Sequence, residues 1–168
     1  MRETVVITDT SILINFLALD RAALLGCLST YSFVVTDHVR AEIKAHYNQQ
    51  LQRLERAFAD QILEEICVDD LKEVRIFTEL TATGLGIGEC SAIAVAVHRQ
   101  LTLAIDDKQA IRKVSRLGFD IPIVTTETLI VLLIRNGTLT IEEADAMKLA
   151  WEKHHRFRLT FFSFRERL

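Results

Sequence analysis

The sequence predicts an α/β protein with a central, mainly parallel sheet of four to five strands covered by helices. Three observations carry that prediction. Short apolar runs at residues 4–8, 31–35, 101–105 and 121–124 alternate along the chain with segments of helical periodicity. The runs are apolar almost throughout, as strands buried on both faces are. The 168 residues hold one proline, six glycines and no repeat or low-complexity tract, so they are expected to form a single domain, with 137–168 as a C-terminal helix and a basic-aromatic tail.

Taken in order, the first strand, Thr4 to Thr8, passes directly into a helical pattern from Ser11 to Leu19. The second strand leads into helical spacing from Val39 through the forties. The stretch Tyr47 to Glu65, rich in Gln, Arg and Glu, reads as an exposed helical arm, and Ile62 to Val68 fits either a strand or a helix end. Helical periodicity returns at Leu71–Leu80, Glu89–Arg99, Gln109–Leu117, Glu127–Arg135 and Ile141–His154. In the last of these, Ile141, Ala144, Met147 and Trp151 share one stripe, which assigns Trp151 to packing rather than to base stacking.

Composition excludes several classes of protein. The opening residues lack the basic and apolar regions of a signal peptide, and the apolar stretch Leu129–Ile134 is far short of the roughly 20 residues that span a bilayer, so the expectation is a cytoplasmic protein with no membrane partner. Cys27, Cys67 and Cys90 show neither disulfide nor zinc spacing and read as buried free thiols. The net charge of −3 argues against a nucleic-acid partner only on average. The tail from Trp151 carries five cations, Lys153, Arg156, Arg158, Arg165 and Arg167, against Glu152 and Glu166, and the rest of the chain is correspondingly more acidic. Three clustered phenylalanines in that tail, Phe161, Phe162 and Phe164, favour docking onto the core or a second subunit over a free arm.

The excess acid is concentrated where chemistry is expected. Asp9 ends the first strand and Asp106 ends the run Leu101–Ile105, both at the edge of an α/β sheet where ligands bind. Glu42 lies one turn into the helix after the second strand, and Glu89 opens a helix after the glycine-rich turn Gly84-Leu85-Gly86-Ile87-Gly88. Singly, each of these is an ordinary cap or dipole complement. Together, carboxylates at one sheet edge must be protonated or neutralised by a cation, and hard oxygen ligands in that number select Mg²⁺ or Mn²⁺. Thr10 and Ser11 offer hydroxyls beside Asp9, and Arg40 is a candidate phosphate contact. Of Asp106 and Asp107, one is expected to face the metal and the other to cap the following helix.

These pieces resemble the PIN-domain family of Mg²⁺-dependent nucleases, which includes many toxin-antitoxin ribonucleases. The resemblance rests on Thr8-Asp9-Thr10-Ser11, Val39-x-x-Glu42-Ile43, Gly88-Glu89 before an alanine-rich helix, and Leu103-Ala104-Ile105-Asp106-Asp107, with Gly137–Ala144 and Arg156–Leu159 matching a subgroup. It implies a PIN-like three-layer α/β/α fold. It also implies that Asp9, Glu42, Glu89 and one of Asp106 or Asp107 hold one or two Mg²⁺ or Mn²⁺ ions that activate water for attack on an RNA phosphodiester, leaving a 5′-phosphate. Ser11, Thr10 and Arg40 would position water or phosphate. Direct motif alignment puts the ligand at Asp107 and the strand-end argument favours Asp106, and the reading leans to Asp107. A homodimer and a cognate antitoxin are the partners implied beside RNA. Two rival readings are an inactive PIN-like binding module and a receiver- or phosphatase-like Mg²⁺ protein. Against the second, the first strand ends in a single Asp9, not an acidic pair, and lacks Asp-x-Asp.

Overall fold

The computed structural model describes residues 3–168; Met1 and Arg2, the start of the stretch read for a signal peptide, lie outside the described residues. Five strands, β1 (Thr4–Thr8), β2 (Tyr31–Thr36), β3 (Leu63–Ile66), β4 (Thr102–Ala104) and β5 (Ile123–Val124), form one sheet in the order β3-β2-β1-β4-β5. Every pairing is parallel, with Val6 opposite Phe33 on one side of β1 and opposite Thr102 on the other. The order reverses at β1: the chain builds outward through β2 and β3, then returns to lay β4 on the other flank. Such a switch point opens a crevice at the carboxyl ends of the two strands that part there, β1 and β4. Asp9 follows β1 immediately, and Asp106 follows β4 after the single residue Ile105.

Eight α-helices flank the sheet among the described residues: α1 (Thr10–Ala18), α2 (Asp37–His46), α3 (Leu51–Ala59), α4 (Leu71–Thr81), α5 (Ile87–Arg99), α6 (Lys108–Arg116), α7 (Thr126–Arg135) and α8 (Ile141–His154). Because successive strand residues face opposite ways, Val6 enters one core with α1, α3, α7 and α8, while Ile7 enters the other with α5 and α6. The result is the three-layer α/β/α arrangement that the sequence predicted. Trp151 is fully buried, packs edge-on to Phe16 and donates its indole N–H to the Asn15 carbonyl at 2.6 Å, so its packing role holds. The tail docks on the same core through buried Phe161 and Phe164, with Phe162 left in solvent.

Three expectations need correction. The stretch 47–65 is no exposed arm. Leu54 and Ala57 bury one stripe of α3, and Arg53 donates to the carbonyls of Leu17 and Ala18 at 2.7 and 2.9 Å, closing the C-terminal end of α1, before the chain enters β3. The last strand is shorter than 121–124, because Pro122 lacks the N–H a ladder needs, although its carbonyl still accepts from Leu103 at 2.9 Å. Of the three free thiols, only Cys90 is buried; Cys27 and Cys67 are exposed. No helix among the described residues is long and apolar enough to cross a membrane.

Candidate active site

Asp9 is the N-cap of α1. Its Oδ1 accepts the Ile12 N–H at 3.0 Å, and the Ser11 hydroxyl donates to both carboxylate oxygens at 2.9 and 2.8 Å. The capping that sequence reasoning set against a functional role is therefore real, and it fixes the carboxylate at the crevice. It does not explain the burial. Asp9 is only 1% exposed and no cation among the described residues pairs with it. Burial, with smaller contributions from the charges of Asp106 and Glu89, outweighs its two hydrogen-bond donors and lifts its pKa to about 7.

Asp106 stands across the switch point, gripped by groups far from it in sequence. The Thr126 hydroxyl and Asn15 amide donate to its Oδ2 at 2.6 and 3.0 Å, and the Thr126 backbone N–H donates to Oδ1 at 2.9 Å. Asn15 also donates to the Thr126 hydroxyl oxygen at 3.0 Å, so α1, α7 and the end of β4 are tied through one carboxylate. Burial again raises the pKa of Asp106 despite these donors. Asp107 has a different task. It is exposed and caps α6, its Oδ1 accepting from the N–H groups of Gln109 and Ala110 at 2.7 and 3.0 Å.

Glu42 and Glu89 complete the rim. Thr10 donates to Glu42 Oε2 at 2.9 Å, so α1 orients an acid that belongs to α2. Close beneath lies Gly88, in the first turn of α5. A Cβ built there would collide with Glu42 Oε2 and sit 2.9 Å from Thr10 Oγ1. Only glycine admits this approach. Glu89 folds back to accept the Gly86 N–H at 3.0 Å, and burial, then the charges of Asp107 and Glu42, raise its pKa.

Arg40 is not brought to this crevice. It lies two positions from Glu42, on the far side of α2, where its guanidinium binds Glu55 at 2.5 Å and Glu65 at 2.9 Å and stacks 4.7 Å above Phe58. Ser11 and Thr10 sit in the site, both donating to acids. Asn15 and Thr126 were missed by sequence reasoning. Asn15 did leave a signal, a lone amide among the buried Ile12, Leu13, Phe16 and Leu17 of α1, since a buried amide requires partners.

None of the five acids enters an ion pair among the described residues, although Arg and Lys pair with acids over much of the surface. Equally, among the described residues no group of three Asp, Glu, His or Cys side chains is gathered closely enough to hold a metal ion as it stands. Glu89 is turned to its cap and Asp107 to its own helix. The donor set fits a hard divalent cation in chemistry, all carboxylate oxygen with hydroxyls beside it, and Asp9 with Asp106 would hold it first.

The sequence profile of the PIN domain family matches residues 5–160, spanning all five strands and all eight helices. The chain is a PIN domain. Solved structures agree on the fold. This PIN domain is similar to a chain in the crystal structure of VapBC2 from Rickettsia felis bound to a DNA fragment from their promoter, with a TM-score of 0.55 and 14% identity over 73% of this chain and 98% of that one. Among curated proteins, none matches the sequence.

Proposed function

We propose that this PIN domain is a metal-dependent endoribonuclease, of the kind that serves as the toxin of a toxin-antitoxin pair. The observation that carries the reading is Asp9, a buried carboxylate with no cationic partner among the described residues, facing Asp106 across the sheet's switch point. An enzyme hydrolysing phosphodiesters needs such a place, because a fixed set of anions in a desolvated crevice binds a divalent cation strongly. Mg²⁺ or Mn²⁺ held there would lower the pKa of a bound water and neutralise charge on the scissile phosphate.

The residues divide the remaining work. Asp9 and Asp106 hold the cation; Ser11 keeps both Asp9 oxygens in register, and Thr126 with Asn15 does the same for Asp106. Glu42 and Glu89, from the opposite rim, would add negative charge for the cation or serve as a base for the attacking water. Asp107 holds the start of α6 and adds negative charge beside Glu89. The similarity to a chain of a VapBC complex supports an antitoxin as a protein partner, with residues 1–168 acting as one domain. Exposed apolar side chains such as Leu71 on α4 and Phe162 in the tail are compatible with a homodimer.

The test is cleavage of a mixed transfer and ribosomal RNA pool with Mg²⁺ or Mn²⁺, comparing the natural protein with Asp9→Asn and mapping new 5′ ends. Metal-dependent cuts with 5′-phosphates, absent in the variant, are expected. A folded natural protein that binds RNA without cutting it would make the chain a binding module instead.

A further inference from the structure

A second cavity opens beside Asp106, away from Glu42 and Glu89, with a volume of about 170 Å³. Its floor is the corner that carries Asp106 and Lys108. One wall is the start of α7, with Thr125 and Glu127; the other is the tail segment Phe157–Thr160, which contributes Arg158 to the lining. The space exceeds the needs of one or two waters many times over.

The charges around it are not balanced by structural pairs. Glu127 is engaged by Arg167 at 3.2 Å, a pair less exposed than that of Arg158. Lys108 has no acidic partner among the described residues. Arg158 touches Glu152 at 3.2 Å, but its side chain is 76% exposed, so that pair is worth little and a stronger anion can replace it. The cavity is thus lined by Lys108 and Arg158 beside the Asp106 carboxylate, which is turned to Thr126 and Asn15, with the Thr160 hydroxyl, the half-buried Phe157 ring and Leu159 completing the lining. Phe157 is held edge-on to Trp151 at a 5.5 Å centroid separation, so the wall is anchored to the core. A phosphate for Lys108 and Arg158 and a flat ring for Phe157 together describe a nucleotide.

We infer that this cavity is a subsite of the proposed ribonuclease, taking the nucleotide of a single-stranded substrate next to the one whose phosphate lies at Asp106, with Lys108 and Arg158 binding its phosphate. The inference rests on the nuclease reading and adds to it a role for the tail. That role gives a use to a cation that the tail, with its excess of basic residues, brings beside the acidic crevice.

The experiment measures binding of a short, fluorescently labelled single-stranded RNA by anisotropy across a salt series. It uses the full chain carrying Asp9→Asn to prevent turnover, alone and combined with Lys108→Ala, Arg158→Ala or Lys72→Ala. Lys72 is an exposed cation on α4, outside the lining of the cavity, and controls for the lost charge. The subsite predicts about tenfold weaker binding for each of Lys108→Ala and Arg158→Ala, and a salt dependence shallower by about 0.7 per lost contact, with Lys72→Ala unchanged. In the cleaving protein, the same two substitutions raise KM and leave kcat within a fewfold. Equal binding by all three would overturn the subsite while leaving the nuclease reading intact. If the folded natural protein neither binds nor cuts RNA, both fall together.

Discussion

Gly88→Ala separates what this fold needs from what its chemistry needs. The added methyl would meet Glu42 Oε2, Thr10 Oγ1 at 2.9 Å and Val39 Cγ2 at 3.3 Å. Of these, the Glu42 carboxylate is the far end of a flexible side chain and yields first. Its swing loses the hydrogen bond from Thr10, about 1 kcal/mol, and residual crowding against Val39 adds about another. Against this, alanine is the better helix former by about 0.5–1 kcal/mol in α5. The net cost is about 1 kcal/mol, a melting shift of roughly 2–4 °C for a chain of this length. Metal-dependent cleavage, by contrast, should fall at least tenfold, because the displaced carboxylate belongs to the site. Melting curves and initial cleavage rates on one preparation check both halves. Cleavage at the natural rate would refute the role given to Glu42, and a folding collapse would refute the small stability cost worked out from the contacts at Gly88.

Other expectations follow from the same geometry. Asp9→Asn should melt higher than the natural protein at pH 7.5 without metal, and gain nothing from Mg²⁺. A folded pKa raised from 3.8 to about 7 means stability that is full below pH 4 and is lost, by up to about 4 kcal/mol, as pH rises through 7. Thermal melts with and without Mg²⁺ read this directly. Thr126→Val keeps the backbone N–H bond to Asp106 but removes the hydroxyl that holds Oδ2, and should weaken Mn²⁺ binding by calorimetry 10–100-fold. Away from the site, Glu73→Gln should cost about 3 kcal/mol. The fully buried Glu73 binds Arg99 at 2.6 Å and His98 at 3.0 Å, joining α4 to α5. Those donors overcome the burial penalty and hold its pKa down at about 2, so its contribution is present above pH 4.5 and lost as pH falls towards 2. The variant's urea midpoint should therefore lie well below that of the natural protein at pH 7 and approach it at pH 3.

The parts of this molecule that local pattern determines were legible in the sequence. Strands buried on both faces cannot hide their apolar runs, and an acid directly after such a run can only emerge at the sheet's carboxyl edge, so Asp9 and Asp106 were placed correctly. What could not be read depends on groups distant in the chain. Asn15 meets Asp106 across 91 positions, and neither sequence neighbourhood announces the other. Arg40 looked free because Glu55 and Glu65 reach it only once α3 and β3 have packed beside α2. The polar composition of 47–65 concealed the narrow stripe of Leu54 and Ala57 on which α3 docks. Asp106 and Asp107 were indistinguishable as adjacent letters. The partners separate them: one faces Thr126 and Asn15 in the crevice, the other caps α6.

The central claim is that the carboxylates at the β1–β4 switch point are a cation site. An anomalous difference map from crystals grown with Mn²⁺ tests it most directly. The account predicts a peak within coordination distance, about 2.0–2.2 Å, of both Asp9 and Asp106, with Glu42 or Glu89 turned towards it and no such peak in Asp9→Asn. A map without density at that crevice, or with its Mn²⁺ peak held by acids elsewhere on the surface, would contradict it.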